Sequence, residues 1–163
     1  MRKDLLPDFL HLFHAFGNHR GALLRLLDQC GGDPSRARRS DPGELRELGF
    51  GARAVACVAK TFERLVETDL DWASQAAHRL ICYDDEAYPE RLRQIADFPL
   101  LLYARGDTRL LRSPQIAVVG SRRCTPGGAR TAFEFADGLA AAGLTVTSGL
   151  ALGIDTEAHR GAL

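Results

Sequence analysis

No charge of either sign prevails in this chain: Lys+Arg and Asp+Glu are both 21 among 163 residues. A global basic field that would draw the whole molecule onto nucleic acid or a membrane is therefore excluded, and any anion site must be local. The balance holds along the chain, with 12 basic and 11 acidic residues in 1–79 and 9 and 10 in 80–163. Cysteine is scarce. Cys30, Cys57, Cys82 and Cys124 stand alone with no CxxC pair, which supports neither a zinc site nor a redox motif. Cys57 and Cys82 lie in apolar surroundings and read as small core residues. Long apolar runs are missing too. None approaches the ~18 residues of a membrane span, and the apolar stretch after the basic start carries Asp8, His11 and His14, unlike a secretory leader. A reduced, cytoplasmic protein is expected, with 45% hydrophobic and 26% charged residues in the range of soluble domains.

What is present divides in two. Residues 5–70 read as short helices. Pro7 suits a first helical turn, Phe9, Phe13 and Phe16 share a face, and Gly17 ends the helix. Asn18 is expected to cap a second helix with Leu23, Leu24 and Leu27 inward, closed by Gly31-Gly32. Asp33-Pro34 and Asp41-Pro42 each read as a cap followed by proline, and Asp41 with Glu44 fits a capping box. Val55, Val58, Phe62 and Leu65 predict one longer helix, and Asp71 a cap for another through Arg79. Short helices with glycine turns indicate a SAM-like or helix-hairpin-helix domain over 1–79, with Gly49-Phe50-Gly51 as its hairpin. Such hairpins serve either DNA backbone contact or plain turning and docking.

Residues 80–163 read as an α/β domain. Strands are expected at Leu80–Tyr83 and Leu100–Tyr103, with a short helix carrying Leu92 and Ile95 between them. Ile116–Val119 is an apolar run without alternation, as in a strand buried on both faces of a parallel sheet. A loop from Ser121 to Gly128, a helix with Ala132, Phe135, Ala136 and Leu139 on one face, and a strand Leu144–Thr147 follow. A second loop and a helix capped by Asp155 or Thr156 complete a β-loop-α-β-loop-α pattern, the start of a Rossmann-like, doubly wound parallel sheet. The expected fold is mixed: an all-α domain, then an incomplete Rossmann-like sheet truncated on its C-terminal side.

Ligands of parallel sheets bind beyond the carboxyl ends of the strands, where both loops lie. In the first, Gly120 permits a tight turn, Ser121 and Thr125 offer hydroxyls, and Arg122 and Arg123 offer forked donors suited to phosphate. In the second, Ser148, Gly149, Ala151, Gly153 and Asp155 lead into a helix N-terminus. Together they form a candidate anion site about two phosphates wide. Neither GxxxxGK[ST] nor GxGxxG occurs, and no acidic residue follows the second strand to hold a ribose, which disfavours ATP and NAD. No cofactor or metal is expected. His159, four residues after Asp155, fits either acid–base work or packing beside a helix cap.

The segments IAVVGSR (116–122) and SGLALGIDTEAHRGAL (148–163) resemble the DNA-processing protein DprA (Smf) family. Tyr88-Pro89, Phe98-Pro99-Leu100, Leu102-Tyr103 and Gly106 are similar to its lead-in, and the N-terminal helices to its SAM-like domain. The resemblance implies a non-enzymatic, cytoplasmic, single-stranded DNA-binding protein that protects incoming DNA in natural transformation. It also implies loading of the RecA recombinase and a homodimer in the full-length protein. Carried over, its DNA-binding positions are Gly120, Ser121, Arg122, Ser148, Gly149, Ala151, Gly153 and Asp155; Arg123 is added from charge and position. Where the family usually has a tyrosine before glycine after the first loop, Pro126-Gly127-Gly128 stand here, without that stacking partner.

Two rival readings remain. The tract from Pro126 to Glu134 matches the PGGxGTxxE of nucleoside-monophosphate phosphoribohydrolases except at Arg130, with Glu134 as the candidate catalytic residue. It follows the first strand, which is not its place in those enzymes, and Arg130 obstructs close backbone approach. The other is a protein-interaction module in which the helical domain docks on a partner and the sheet is inert.

Overall fold

The computed structural model describes residues 3–163, with side chains from Asp4 onward. Met1 and Arg2, part of the basic start of the sequence, lie outside the described residues. The chain divides into two compact units, residues 1–107 and 108–163.

The first unit is built around α1 (Leu6–Phe16), whose Phe9, Leu10, Leu12 and Phe16 are buried. Pro7 sits in its first turn, and Gly17 ends it at φ 49°, its N–H bonding the Phe13 carbonyl. Around α1 pack α2 (Arg20–Gln29), α3 (Pro34–Arg38), α5 (Ala52–Val58) and α6 (Glu63–Ser74); α4 (Pro42–Glu47) packs on α5. The two aspartate–proline caps form as the sequence predicts. Asp33 accepts from the Ser35 and Arg36 N–H groups, and Asp41 from those of Gly43 and Glu44.

Other expectations in this unit are corrected. The N-cap position of α2 is His19, not Asn18, and no side chain caps it. The single helix through Val55 and Leu65 is two. Phe62 leaves the helical backbone at φ −134°, ψ 48°, and its N–H bonds His11 Nδ1 at 3.0 Å, 51 residues away. A buried acceptor on α1 thus interrupts the helix, and Leu65 is left exposed. Asp71 lies inside α6 rather than starting a helix. Gly49-Phe50-Gly51 closes α4: the Phe50 N–H bonds the Leu45 carbonyl and the Phe50 ring is buried beneath Arg25. That amide is committed to the helix end.

β1 (His78–Cys82) and β2 (Leu101–Arg105) pair antiparallel, with α7 (Glu90–Arg93) between them in sequence. Leu80, Cys82, Leu100 and Leu101 join the same apolar core as α1 and α2. The first compact unit therefore runs past the change of pattern at Arg79/Leu80, and this strand pair is not part of a parallel sheet. Cys30, Cys57 and Cys82 are all buried, and burial with the nearby Asp84 charge pushes the Cys82 thiol up to about 12.

Buried polar groups tie the layers. Asp69 accepts the Tyr103 hydroxyl and His14 Nε2, both at 2.7 Å, linking α6 to β2 and α1. Trp72 stacks on His78 at 4.3 Å between centroids and meets Tyr103 edge-on at 5.2 Å. Arg20 donates to the Phe98 and Ala96 carbonyls and lies over the Phe98 ring, holding the 96–98 turn.

The second unit opens with a 3-10 turn, Thr108–Arg112. β3 (Gln115–Ala117) and β4 (Thr145–Thr147) pair in parallel, joined by α8 (Pro126–Ala141), and α9 (Ile154–Ala162) follows β4. Thr125 caps α8 by accepting the Gly128 N–H at 3.1 Å. Gly143, at φ 84°, turns the chain out of the helix, and the Leu144 N–H returns to the Leu139 carbonyl. The helices meet closely: a Cβ on Gly161 would collide with the Phe133 backbone. Burial here is thinner than predicted. Val119 is 76% exposed and Phe135 61%, because β3 has one pairing partner and only Ala132 and Ala136 of α8 are buried.

Two outcomes follow for the helical unit. Asp69→Ala leaves the Tyr103 and His14 donors without their acceptor and should cost about 1–3 kcal/mol in urea unfolding. His11 is held below its ordinary value of 6.5 by burial and then by the Arg38 charge. Below 6.5 the unfolded chain takes the proton first, so stability should fall with falling pH. His11→Gln, which keeps an acceptor that does not titrate, should flatten that slope in urea melts between pH 7 and 5.

Candidate nucleic-acid interface

The site candidates lie on two loops at the carboxyl ends of β3 and β4. Loop 1 runs over residues 120–125 and loop 2 over 148–153. Their backbones interlock. The Ile154 N–H bonds the Ser121 carbonyl at 3.1 Å. Gly153 has φ 83°, and a Cβ there would collide with the Ser121 carbonyl oxygen and the Arg122 carbonyl. A Cβ on Gly120 would lie 2.6 Å from Ile154 Cγ1. Close approach requires both glycines, and Gly153 needs its left-handed backbone as well. The structure thus brings the two sequence-predicted loops together.

Loop 1 is open. Arg122 and Arg123 are exposed and form no ion pair with any described residue, whereas Arg160 on α9 is paired with Glu157 at 3.1 Å. Ser121 Oγ accepts the Arg123 N–H at 3.1 Å, folding the loop back on itself. Thr125 is engaged as the α8 cap.

Loop 2 is braced from inside. The Ser148 hydroxyl donates to the Val118 carbonyl at 2.7 Å, and the Ser148 carbonyl lies 3.3 Å from His159 Nε2. Asp155 is buried, and its Oδ2 accepts the Gly149 N–H at 3.1 Å and the Ala151 N–H at 3.4 Å. The Thr156 hydroxyl donates to the Ala151 carbonyl at 2.8 Å. The expected capping of α9 by Asp155 or Thr156 is corrected: Gly153 occupies the N-cap position without a side-chain bond, and both residues turn back onto loop 2. Asp155 and His159 brace different parts of that loop and do not bond each other. Leu150, at φ 57°, and Leu152 project outward, 81% and 76% exposed. A search of the sequence for polar donors misses them; their signal is apolar side chains in a loop otherwise made of small residues.

The tract from Pro126 to Glu134 lies within α8, with Gly127 and Gly128 in its first turn and Glu134 exposed further along. It forms helix, not a glycine-rich cradle. Among the described residues there is no cluster of three His, Cys, Asp or Glu that would hold a metal, and no helix long and apolar enough to cross a membrane.

Replacing Gly153 by Ala places a Cβ against the Ser121 carbonyl in a left-handed backbone. The variant should be destabilised by at least ~1–2 kcal/mol in urea unfolding of the α/β unit. A melt unchanged within error would show that the loops separate at little cost.

A family model described as DNA recombination-mediator protein A matches residues 79–163. Protein Smf of Escherichia coli is 40% identical over 119 residues, covering 73% of this chain and 32% of that protein. The putative DNA processing protein DprA of Mycobacterium tuberculosis is 34% identical over 158 residues, covering 87% of this chain and 39% of its own length. The chain thus spans about a third of the length of these curated relatives. The crystal structure of DNA processing protein A from Streptococcus pneumoniae superposes with a TM-score of 0.70 at 27% identity, over 96% of this chain and 53% of that one. With the family model covering both interlocked loops and the strand pair before them, the chain belongs to the DNA recombination-mediator protein A family, the DprA/Smf DNA-processing proteins.

Proposed function

We propose that this chain supplies part of a single-stranded DNA-binding surface, with the backbone phosphates held at loop 1. The observation that carries the reading is the exposed pair Arg122–Arg123, without an ion pair among the described residues, on a loop whose shape is set by its contact with Gly153 and Ile154. Guanidinium forks match phosphate oxygens. The start of α8 adds its positive end, shared with the Thr125 cap. Leu150 and Leu152 flank the same end of the sheet as apolar surface for bases.

In this reading the protein is a DNA-binding mediator and not an enzyme. Its family membership supports a role in recombination. The finer reading follows the family resemblance: protection of incoming single strands in natural transformation, loading of RecA onto them, and homodimer formation. In unit 1 the Gly49 and Phe50 amides of the glycine turn are spent on the Arg46 and Leu45 carbonyls, so the DNA contact is assigned to the α/β unit.

Fluorescence anisotropy of labelled oligo-dT, set against a duplex of the same length, tests this. Binding should favour the single strand and weaken with salt. Arg122→Ala/Arg123→Ala should flatten the log–log salt slope by about 0.7 for each phosphate that the arginines neutralise. Equal affinity of the double variant and the parent, with the same slope, would remove loop 1 from the interface.

A further inference from the structure

Loop 2 and loop 1 look alike in sequence, since each has glycine, a serine and a following helix. Their interiors differ. In loop 2 two amides that could face a phosphate, those of Gly149 and Ala151, are already bound to an anion, the buried carboxylate of Asp155. We infer that Asp155 is a positioning residue, a resident anion that fills the amide cradle of loop 2 and confines phosphate to loop 1. This rests on the phosphate reading of loop 1 proposed for the function.

The geometry is specific. One oxygen, Oδ2, receives both the Gly149 and the Ala151 N–H groups, drawing residues 149–151 around itself. A Cβ on Gly149 would lie 3.0 Å from that oxygen, so glycine lets the carboxylate seat against the backbone. Leu150 sits between the two donors at φ 57° and is thereby turned outward, 81% exposed. The Ser148 hydroxyl and the Thr156 hydroxyl are also spent on carbonyls, of Val118 and Ala151. Loop 2 therefore presents apolar side chains outward and keeps its polar groups inward. A phosphate arriving there meets a like charge and no free donor on Gly149 or Ala151. Loop 1 has the reverse character: among the described residues its two arginines have no ion-pair partner and no carboxylate bonds to the loop. The result is a division of labour: loop 1 takes backbone phosphate, and loop 2 excludes it and offers Leu150 and Leu152 to the non-ionic part of the ligand.

The test uses the whole chain, ¹⁵N-labelled, with inorganic tripolyphosphate and then oligo-dT as probes. In the parent, tripolyphosphate should move the amide signals of residues 121–124 and leave Gly149 and Ala151 unmoved, and the latter two amides should exchange slowly with solvent. Asp155→Asn removes the charge and Asp155→Ser keeps a small uncharged acceptor, so one serves if the other fails to fold. In either variant, tripolyphosphate should also move Gly149 and Ala151. The oligo-dT salt slope should steepen by about 0.7 for one further phosphate bound. Tripolyphosphate shifts at Gly149 and Ala151 in the parent would overturn the inference, as would their absence in a folded variant. Weaker oligo-dT binding by the variants at an unchanged slope would overturn it too, making Asp155 a direct ligand. Failure of the phosphate reading is separate: it is the absence of any response at residues 121–124 in the parent.

Discussion

The contact on which the site depends is between two stretches of backbone. Gly153 lies against the Ser121 and Arg122 carbonyls with no room for a side chain, and the next N–H, that of Ile154, bonds Ser121. Ile154 in turn fills the space that a Cβ on Gly120 would occupy. Neither loop can shift without the other, because each supplies the wall against which the other turns. This constraint also starts α9, whose first turn follows directly from Gly153, and so seats Asp155 beneath loop 2. With only the short strand pair β3/β4 below, the interlock fixes what pairing over three residues leaves loose.

The helical unit is organised by other means. Its core is a single apolar cluster around α1, and β1 and β2 extend that cluster rather than forming a separate layer. Direction within it comes from the few buried polar bonds. Asp69 holds α6 to β2 and α1, and His11 ends the run between α5 and α6 by taking the Phe62 N–H. Buried donors and acceptors left without partners are costly, so such bonds select one register among many apolar packings. A cleft of about 480 Å³ beside Phe13, His14, Arg20 and Phe98 has polar side chains engaged in this bracing: His14 with Asp69, Arg20 with the 96–98 turn.

What is legible in the sequence is local chemistry. The Asp33 and Asp41 caps form because an aspartate before a proline needs no distant partner. The β3–loop–α8–β4–loop–α9 order and the pairing of the two loops follow from apolar runs punctuated by glycine. The failures share a cause. Asn18 yields the cap position to His19, Phe62 breaks a helix because of a histidine 51 residues away, and Asp155 turns to loop amides instead of its own helix. In each case local pattern allows more than one arrangement, and at Phe62 and Asp155 the choice goes with a bond to a group outside the pattern. The apolar runs at residues 80–83 and 100–103 announce strands but not their direction, which depends on what they pair with. Burial on both faces of β3 rests on composition alone, and Val119 is exposed.

Zero net charge and the proposed anion site at loop 1 are compatible because of where the carboxylates go. A basic patch needs an excess of positive charge within about one Debye length, roughly 10 Å at 0.1 M salt, not an excess over the chain. Asp155 is the acidic residue that the fold places at these loops, and it is withdrawn under Gly149 and Ala151. Glu157, on the same helix, is occupied by Arg160. Arg122 and Arg123 are left without an ion-pair partner among the described residues, so their charge is available to a ligand rather than spent within the protein. Pairing an arginine internally would cancel its attraction for phosphate and fix its side chain. Leaving it free costs little while it is solvated. The same carboxylate that shapes loop 2 is thereby kept out of the way of loop 1, and one residue accounts for the different character of both loops.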